Sequence, residues 1–65
     1  MIELTKLDGE TFTLNCELIE TIEEKPDTII STTSGKKYIV KETTGEIVDK
    51  VVKYKEKIFS FLKGI

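Results

Sequence analysis

The stretch Lys36-Lys-Tyr38-Ile-Val40-Lys-Glu42-Thr43-Thr44-Gly45-Glu46-Ile47-Val48-Asp-Lys-Val51 holds the change of period that decides the fold. Up to Lys41 it reads as a strand, the fifth of the chain. Thr43-Thr44-Gly45-Glu46 then matches a capping box, with Thr43 as N-cap and Glu46 reaching back from the third helical position. From Ile47 the apolar residues fall at 47, 51, 54, 58, 61 and 65, the a/d spacing of a heptad. A second row, Val48, Val52, Phe59 and Leu62, lies beside the first, and together they cover about half the helix circumference. Lys50, Lys53, Lys57 and Ser60 take the opposite side, and Gly64 is placed as a C′ residue closing the helix. A helix needs about 100° of apolar face to sit on a sheet. The surplus leads us to expect one row on the chain's own sheet and the other against a second surface.

Toward the N-terminus the chain reads as short strands. Ile2 to Leu7 and Glu10 to Leu14 flank Asp8-Gly9, the dipeptide of type I′ hairpins, whose two central residues both need positive φ. Ile2, Leu4, Phe12 and Leu14 are expected on the buried face of this hairpin. Asn15-Cys16-Glu17-Leu18 reads as one helical turn capped by the Asn15 side chain. Ile19 to Glu24 is a third strand, and Lys25-Pro26-Asp27 is a turn with Pro26 at its second position. Thr28 to Thr33 is rich in β-branched residues. Ser34-Gly35 turns it back onto Lys36 to Lys41, forming a second tight hairpin. The expected fold is α+β: a small antiparallel sheet of about five short strands over residues 1–42, then one amphipathic helix over 43–64. Residues 1–65 form a single domain.

With 65 residues, the chain buries only about 60% of the surface its unfolded form exposes. Natural domains of this size usually add disulfides, a metal or a second chain. One Cys excludes an internal disulfide, and with no His the soft ligands of a structural zinc site are lacking. A homo-oligomer is the remaining common route to a larger core. No cofactor is expected, because the Gly spacing fits no phosphate cradle and the acidic residues fit no calcium loop. An enzyme is not expected either. General acid–base work at neutral pH would fall to a solvated carboxylate or to Cys16, which lacks an activating base and has Glu17 beside it.

All ten basic residues are Lys, set against nine Glu and three Asp for a net charge of −2. Nucleic acid is therefore disfavoured as a partner, since phosphate binding draws on clustered Lys and Arg. Ser34-Gly35-Lys36-Lys37-Tyr38 is the most basic short stretch, and two Lys at a hairpin tip also protect a sheet edge from aggregation. No segment has the length and apolarity of a transmembrane span, and no signal-peptide pattern opens the chain. A lone Cys fits a reducing compartment, so a cytoplasmic location is expected. The candidate interaction surface is Ile47, Val51, Tyr54, Ile58, Phe59, Phe61, Leu62 and Ile65. Its aromatics flanked by Lys suit a partner helix and are compatible with peripheral membrane contact.

Met1 to Asn15, Leu18-Ile-Glu-Thr-Ile-Glu23, Pro26-Asp-Thr-Ile-Ile30 and Gly35-Lys-Lys-Tyr-Ile-Val-Lys-Glu42 occur in the order and spacing of one family. Over essentially its whole length the sequence resembles the small flagellar FlbD family, also called the swarming motility protein SwrD family. The departures are Cys16, where Pro is familiar, and a helix start through Thr43-Thr44-Gly45. The resemblance implies a bacterial, non-enzymatic accessory protein that supports motor power for swarming. It places the protein at the flagellar base, near stator or basal-body partners, and carries over no catalytic residue. The alternative reading is a small RNA-binding regulator of flagellar genes, acting through Lys36 and Lys37.

Overall fold

The computed structural model describes residues 1–64; Ile65 lies outside the described residues. Five strands, β1 (Ile2–Thr5), β2 (Thr11–Leu14), β3 (Ile19–Glu24), β4 (Thr28–Thr32) and β5 (Lys37–Val40), precede one helix, α1 (Thr44–Lys63). A single 3-10 turn, Cys16–Leu18, joins β2 to β3, and the Asn15 side chain caps it by accepting from the Glu17 N–H.

The α+β architecture is as expected, but the strands divide between two antiparallel sheets, β1-β2 and β3-β4-β5. The two sheets are linked rather than continuous. A single bridge pairs Lys6 with Val40, and the Lys41 N–H donates to the Thr5 carbonyl at 2.8 Å. Strands of four to six residues leave little length for a longer seam.

Both hairpins with glycine turns share one loop form, and it is not type I′. In each, the residue before the loop accepts from the glycine N–H and donates to the residue after it. Lys6, Gly9 and Glu10 do this in the first, Thr32, Gly35 and Lys36 in the second. Only the glycines have positive φ, 93° at Gly9 and 86° at Gly35. This is the three-residue loop that ends on a left-handed glycine. Asp8 keeps a negative φ and uses its side chain instead, its Oδ1 accepting from the Glu10 N–H at 2.9 Å. Ser34 contacts the Thr32 hydroxyl in the second loop. In the β3–β4 turn the Lys25–Pro26 bond is cis, and a cis proline belongs to the third place of a turn rather than the second. The Lys25 N–H donates to the Asp27 carbonyl there.

The core gathers one or two residues from almost every element: Ile2, Leu4, Leu14, Cys16, Ile30, Val40 and Ile47. Phe12 is half-buried rather than buried, its ring stacked on Tyr38 with centroids 5.2 Å apart. Cys16 is a free thiol that fills a core position as a small apolar group. Buried Thr32 is satisfied by exchanging hydrogen bonds with the backbone of Lys36.

The helix begins as its sequence dictates. The Thr43 hydroxyl accepts from the Glu46 N–H, and the Glu46 carboxylate accepts from the Thr43 N–H, both at 3.1 Å. Thr43→Ala should therefore cost about 1 kcal/mol, read as a lower urea midpoint by circular dichroism. At the other end Gly64 keeps an ordinary right-handed conformation and is the C-cap, not a left-handed C′ residue. Its N–H reaches the Ser60 and Phe61 carbonyls, so the turn tightens without needing positive φ.

Candidate functional site

How α1 meets the sheets determines what it leaves free. Ile47 is fully buried, and Val51 and Tyr54 pack half-buried against the core. These three were expected on the interaction surface; instead they dock the helix, because the sheets reach only along its first three turns. From Lys55 to Gly64 every residue is exposed. The molecule measures 42 × 23 × 19 Å, elongated where the last turns run past the sheets. The two apolar rows are thus not assigned to separate partners along their whole length. The first row is used up at its N-terminal end, and both rows stand clear from Ile58 onward.

Three carboxylates fix this docking. Glu42 accepts from both the N–H and the hydroxyl of Thr5, at 2.9 and 2.8 Å, and so pins the segment before the helix to β1. Burial pushes the Glu42 carboxyl up, but the two Thr5 donors, its own N–H and the Lys50 charge together hold it below its ordinary value. Glu24 accepts from the Thr44 N–H at 2.8 Å, at the positive end of the helix. The Thr44 hydrogen bonds hold its carboxyl low. Glu17 accepts from the Lys55 ammonium at 2.6 Å, tying the 3-10 turn to the middle of α1. That bond and the attraction between the charges lower the Glu17 carboxyl and raise the Lys55 ammonium.

A carboxyl lowered in the folded state contributes stability that is complete above its unfolded value and lost as pH falls through the folded one. Stability should therefore be level near pH 7 and fall as the pH drops below the ordinary carboxyl value of 4.5. Urea midpoints between pH 7 and pH 3 measure this. Glu42→Gln should lower the midpoint at pH 7 and flatten its acid slope, since the amide has no charge to lose.

The surface left by this docking is apolar. Val48 (50% exposed), Val52 (47%), Ile58 (41%), Phe59 (62%), Phe61 (71%) and Leu62 (60%) are the large apolar side chains that α1 leaves exposed. The Lys63 ammonium lies 5.2 Å from the centre of the Phe59 ring, covering one end. Two shallow grooves flank Phe59. One is lined by Val51, Val52, Lys55, Glu56, Phe59 and Ser60, the other by Glu17, Lys55, Ile58, Phe59 and Leu62. Of the residues expected on the interaction surface, Ile58, Phe59, Phe61 and Leu62 are the exposed ones. Val48 and Val52 join them; the second-row pattern held that signal.

Among the described residues no three His, Cys, Asp or Glu converge to hold a metal ion. No described helix is long and apolar enough to cross a membrane. The turn residues Asp8, Gly9, Pro26, Asp27, Ser34 and Gly35 all sit in the hairpin loops.

The family model of FlbD, flagellar and swarming motility proteins, matches residues 1–59. The chain belongs to the FlbD family. Membership places it in flagellar and swarming motility. No curated protein and no solved structure matches it. The FlbD match spans both sheets, the docked half of α1, and Ile58 and Phe59. It stops short of Phe61 and Leu62.

Proposed function

We propose that this FlbD protein is a non-enzymatic accessory factor that supports motor power in swarming by binding another protein at the flagellar base. The observation that carries the reading is the helix end. Ile58, Phe59, Phe61 and Leu62 are exposed together on turns that no strand covers. Large apolar side chains grouped on one surface mark interaction sites far more often than isolated ones do. Aromatics are also the residues that most often dominate binding energy. A stator or basal-body protein offering an apolar groove or helix suits such a band, and the Lys residues around it add steering toward an acidic rim. The test is swarming of a strain that carries Phe59→Ser and Phe61→Ser, together with the folded state of the purified variant.

The RNA-binding alternative has one observation on its side. Lys6 and Lys37 flank the stacked Phe12 and Tyr38 on one surface, with the Lys6 ammonium 5.7 Å from the Phe12 ring centre. Asp8 lines the same depression, and Lys6 is paired with Glu10. A surface mixed in sign attracts phosphate weakly. The protein-contact reading is therefore preferred.

A further inference from the structure

Charge is unevenly placed along the chain. Five of the ten Lys fall between Lys50 and Lys63, where Glu56 is the one acid. The first 49 residues hold the other five Lys against eleven Asp and Glu. The net charge of −2 is thus the sum of an acidic body and a basic helix end. Lys50, Lys53 and Lys57 share one side of α1 and, with Met1, Ile2 and Tyr54, line one shallow depression. Lys53 is paired with Asp49 at 3.1 Å, and Lys50 is drawn toward Glu42. Lys57 enters no ion pair among the described residues. Phe61 lies one turn past Lys57, about 40° round the helix. It is the most exposed large apolar side chain among the described residues. Val48, Val52 and Phe59 lie on the far side, about 140–180° round from Lys57.

We propose that the Lys50, Lys53 and Lys57 face and the Phe61 end of α1 bind an anionic lipid surface, attaching the protein peripherally to a membrane. Lys on one side of a helix with Phe and Leu beside it is the pattern of a helix that lies in the headgroup region. Each Lys near an anionic leaflet adds attraction. Its apolar stem can rest against the interface while the ammonium stays among the phosphates. Lys is a compact point charge without the planar fork of Arg, so a diffuse layer of headgroups suits this cluster better than one fixed carboxylate. The acidic body is repelled by the same surface, and the field therefore turns the basic end toward it. Every residue from Lys55 to Gly64 is exposed, so a flat surface meets Lys57, Phe61 and Lys63 without displacing a strand. No described helix is long and apolar enough to span, which makes the contact a surface one. The opposite side, with Val52 and Phe59, stays open to the protein partner. The inference goes beyond the accessory-factor reading and rests on it only for placing the chain at the flagellar base.

Flotation of the full chain with vesicles tests the attachment independently of motility. The wild type should float with vesicles of phosphatidylcholine containing about one third phosphatidylglycerol, and stay behind with pure phosphatidylcholine. Raising the salt from about 50 to 500 mM shortens the Debye length about threefold and should release most of it. Lys53→Gln with Lys57→Gln should lower partitioning at least about tenfold. Lys25→Gln with Lys36→Gln removes the same charge elsewhere and should change it less than about twofold. Phe61→Ser should lower it at least about fivefold, since an apolar ring no longer leaves water. Circular dichroism confirms that each variant is folded. A wild type that does not float, floats equally with neutral vesicles, or loses as much from the Lys25/Lys36 pair as from the Lys53/Lys57 pair would overturn the proposal. So would retention on a polyglutamate resin without flotation, which would give the face to an acidic protein. If the wild type does not float and the folded Phe59/Phe61 variant loses swarming, the lipid contact is removed and the accessory role stands. If the wild type floats and that folded variant swarms normally, the lipid contact stands and the protein-contact reading falls.

Discussion

Ile47→Ala should destabilise the protein by about 2–5 kcal/mol, the range for truncating a fully buried aliphatic side chain. Ile47 is the one buried residue of α1 and has no exposed surface. It enters the core beside Leu4, Ile30 and Val40, which are also essentially inaccessible. Removing three carbons there leaves a cavity in a closely packed core, and the surroundings relax only partly to fill it. A core of this size rarely supplies more than about 3–5 kcal/mol in all. The variant should therefore be largely unfolded at 25 °C, shown by loss of far-UV helical signal and of a cooperative urea transition. Val48→Ala is the matched control, since the neighbouring side chain is half exposed and points away from the core. Its midpoint should stay within about 0.5 kcal/mol of wild type. Equal effects at the two positions would mean that the helix is not seated on Ile47.

Phe59→Ser with Phe61→Ser should do the reverse: abolish swarming while the purified protein stays folded. Both rings are mostly exposed, so little burial is lost. Serine and phenylalanine have similar helix propensities, so the backbone is not penalised. Among the contacts removed is that of Lys63 with the Phe59 ring, worth about 0.5–1 kcal/mol at an exposed site. Thermal and urea midpoints should fall by no more than about 1 kcal/mol in total. A variant that unfolds would return these aromatics to the core. A folded variant that swarms normally would end the reading of the helix tip as the contact surface. Set beside Ile47→Ala, the pair separates the half of α1 that builds the fold from the half that uses it.

The residues that decide local structure were legible at once. Thr43 and Glu46 lie three apart, and their mutual hydrogen bonds close within one turn, so the capping box needed nothing distant. Asn15 capping the Cys16–Leu18 turn is of the same kind. Strand composition located β4 and β5, and Gly9 and Gly35 marked both loops. The loop form was misread because Asp-Gly suits two hairpin geometries. The choice between them rests on whether Asp8 turns its side chain onto the Glu10 N–H. The candidate surface divided in the same way. Spacing marks Ile58, Phe59, Phe61 and Leu62 as apolar, and they are exposed, whereas Ile47, Val51 and Tyr54 share the apolar pattern and form the docking face.

By itself the sequence determined the two periods, the point at Thr43 where one gives way to the other, the turns, and an apolar arc too broad for one helix face. Those properties depend on residues within a few positions of one another, so they are written in short segments. Tertiary structure alone decided that the strands split into two sheets joined at Lys6 and Val40. It also decided that Glu42 clamps Thr5, 37 residues away, and that Glu17 holds Lys55 across 38. Above all, it decided where along the arc burial stops. Periodicity states which side of a helix is apolar, but the length of that side that reaches the core is set by the reach of the surface opposite. Here that surface is made of strands four to six residues long, and it ends before the helix does.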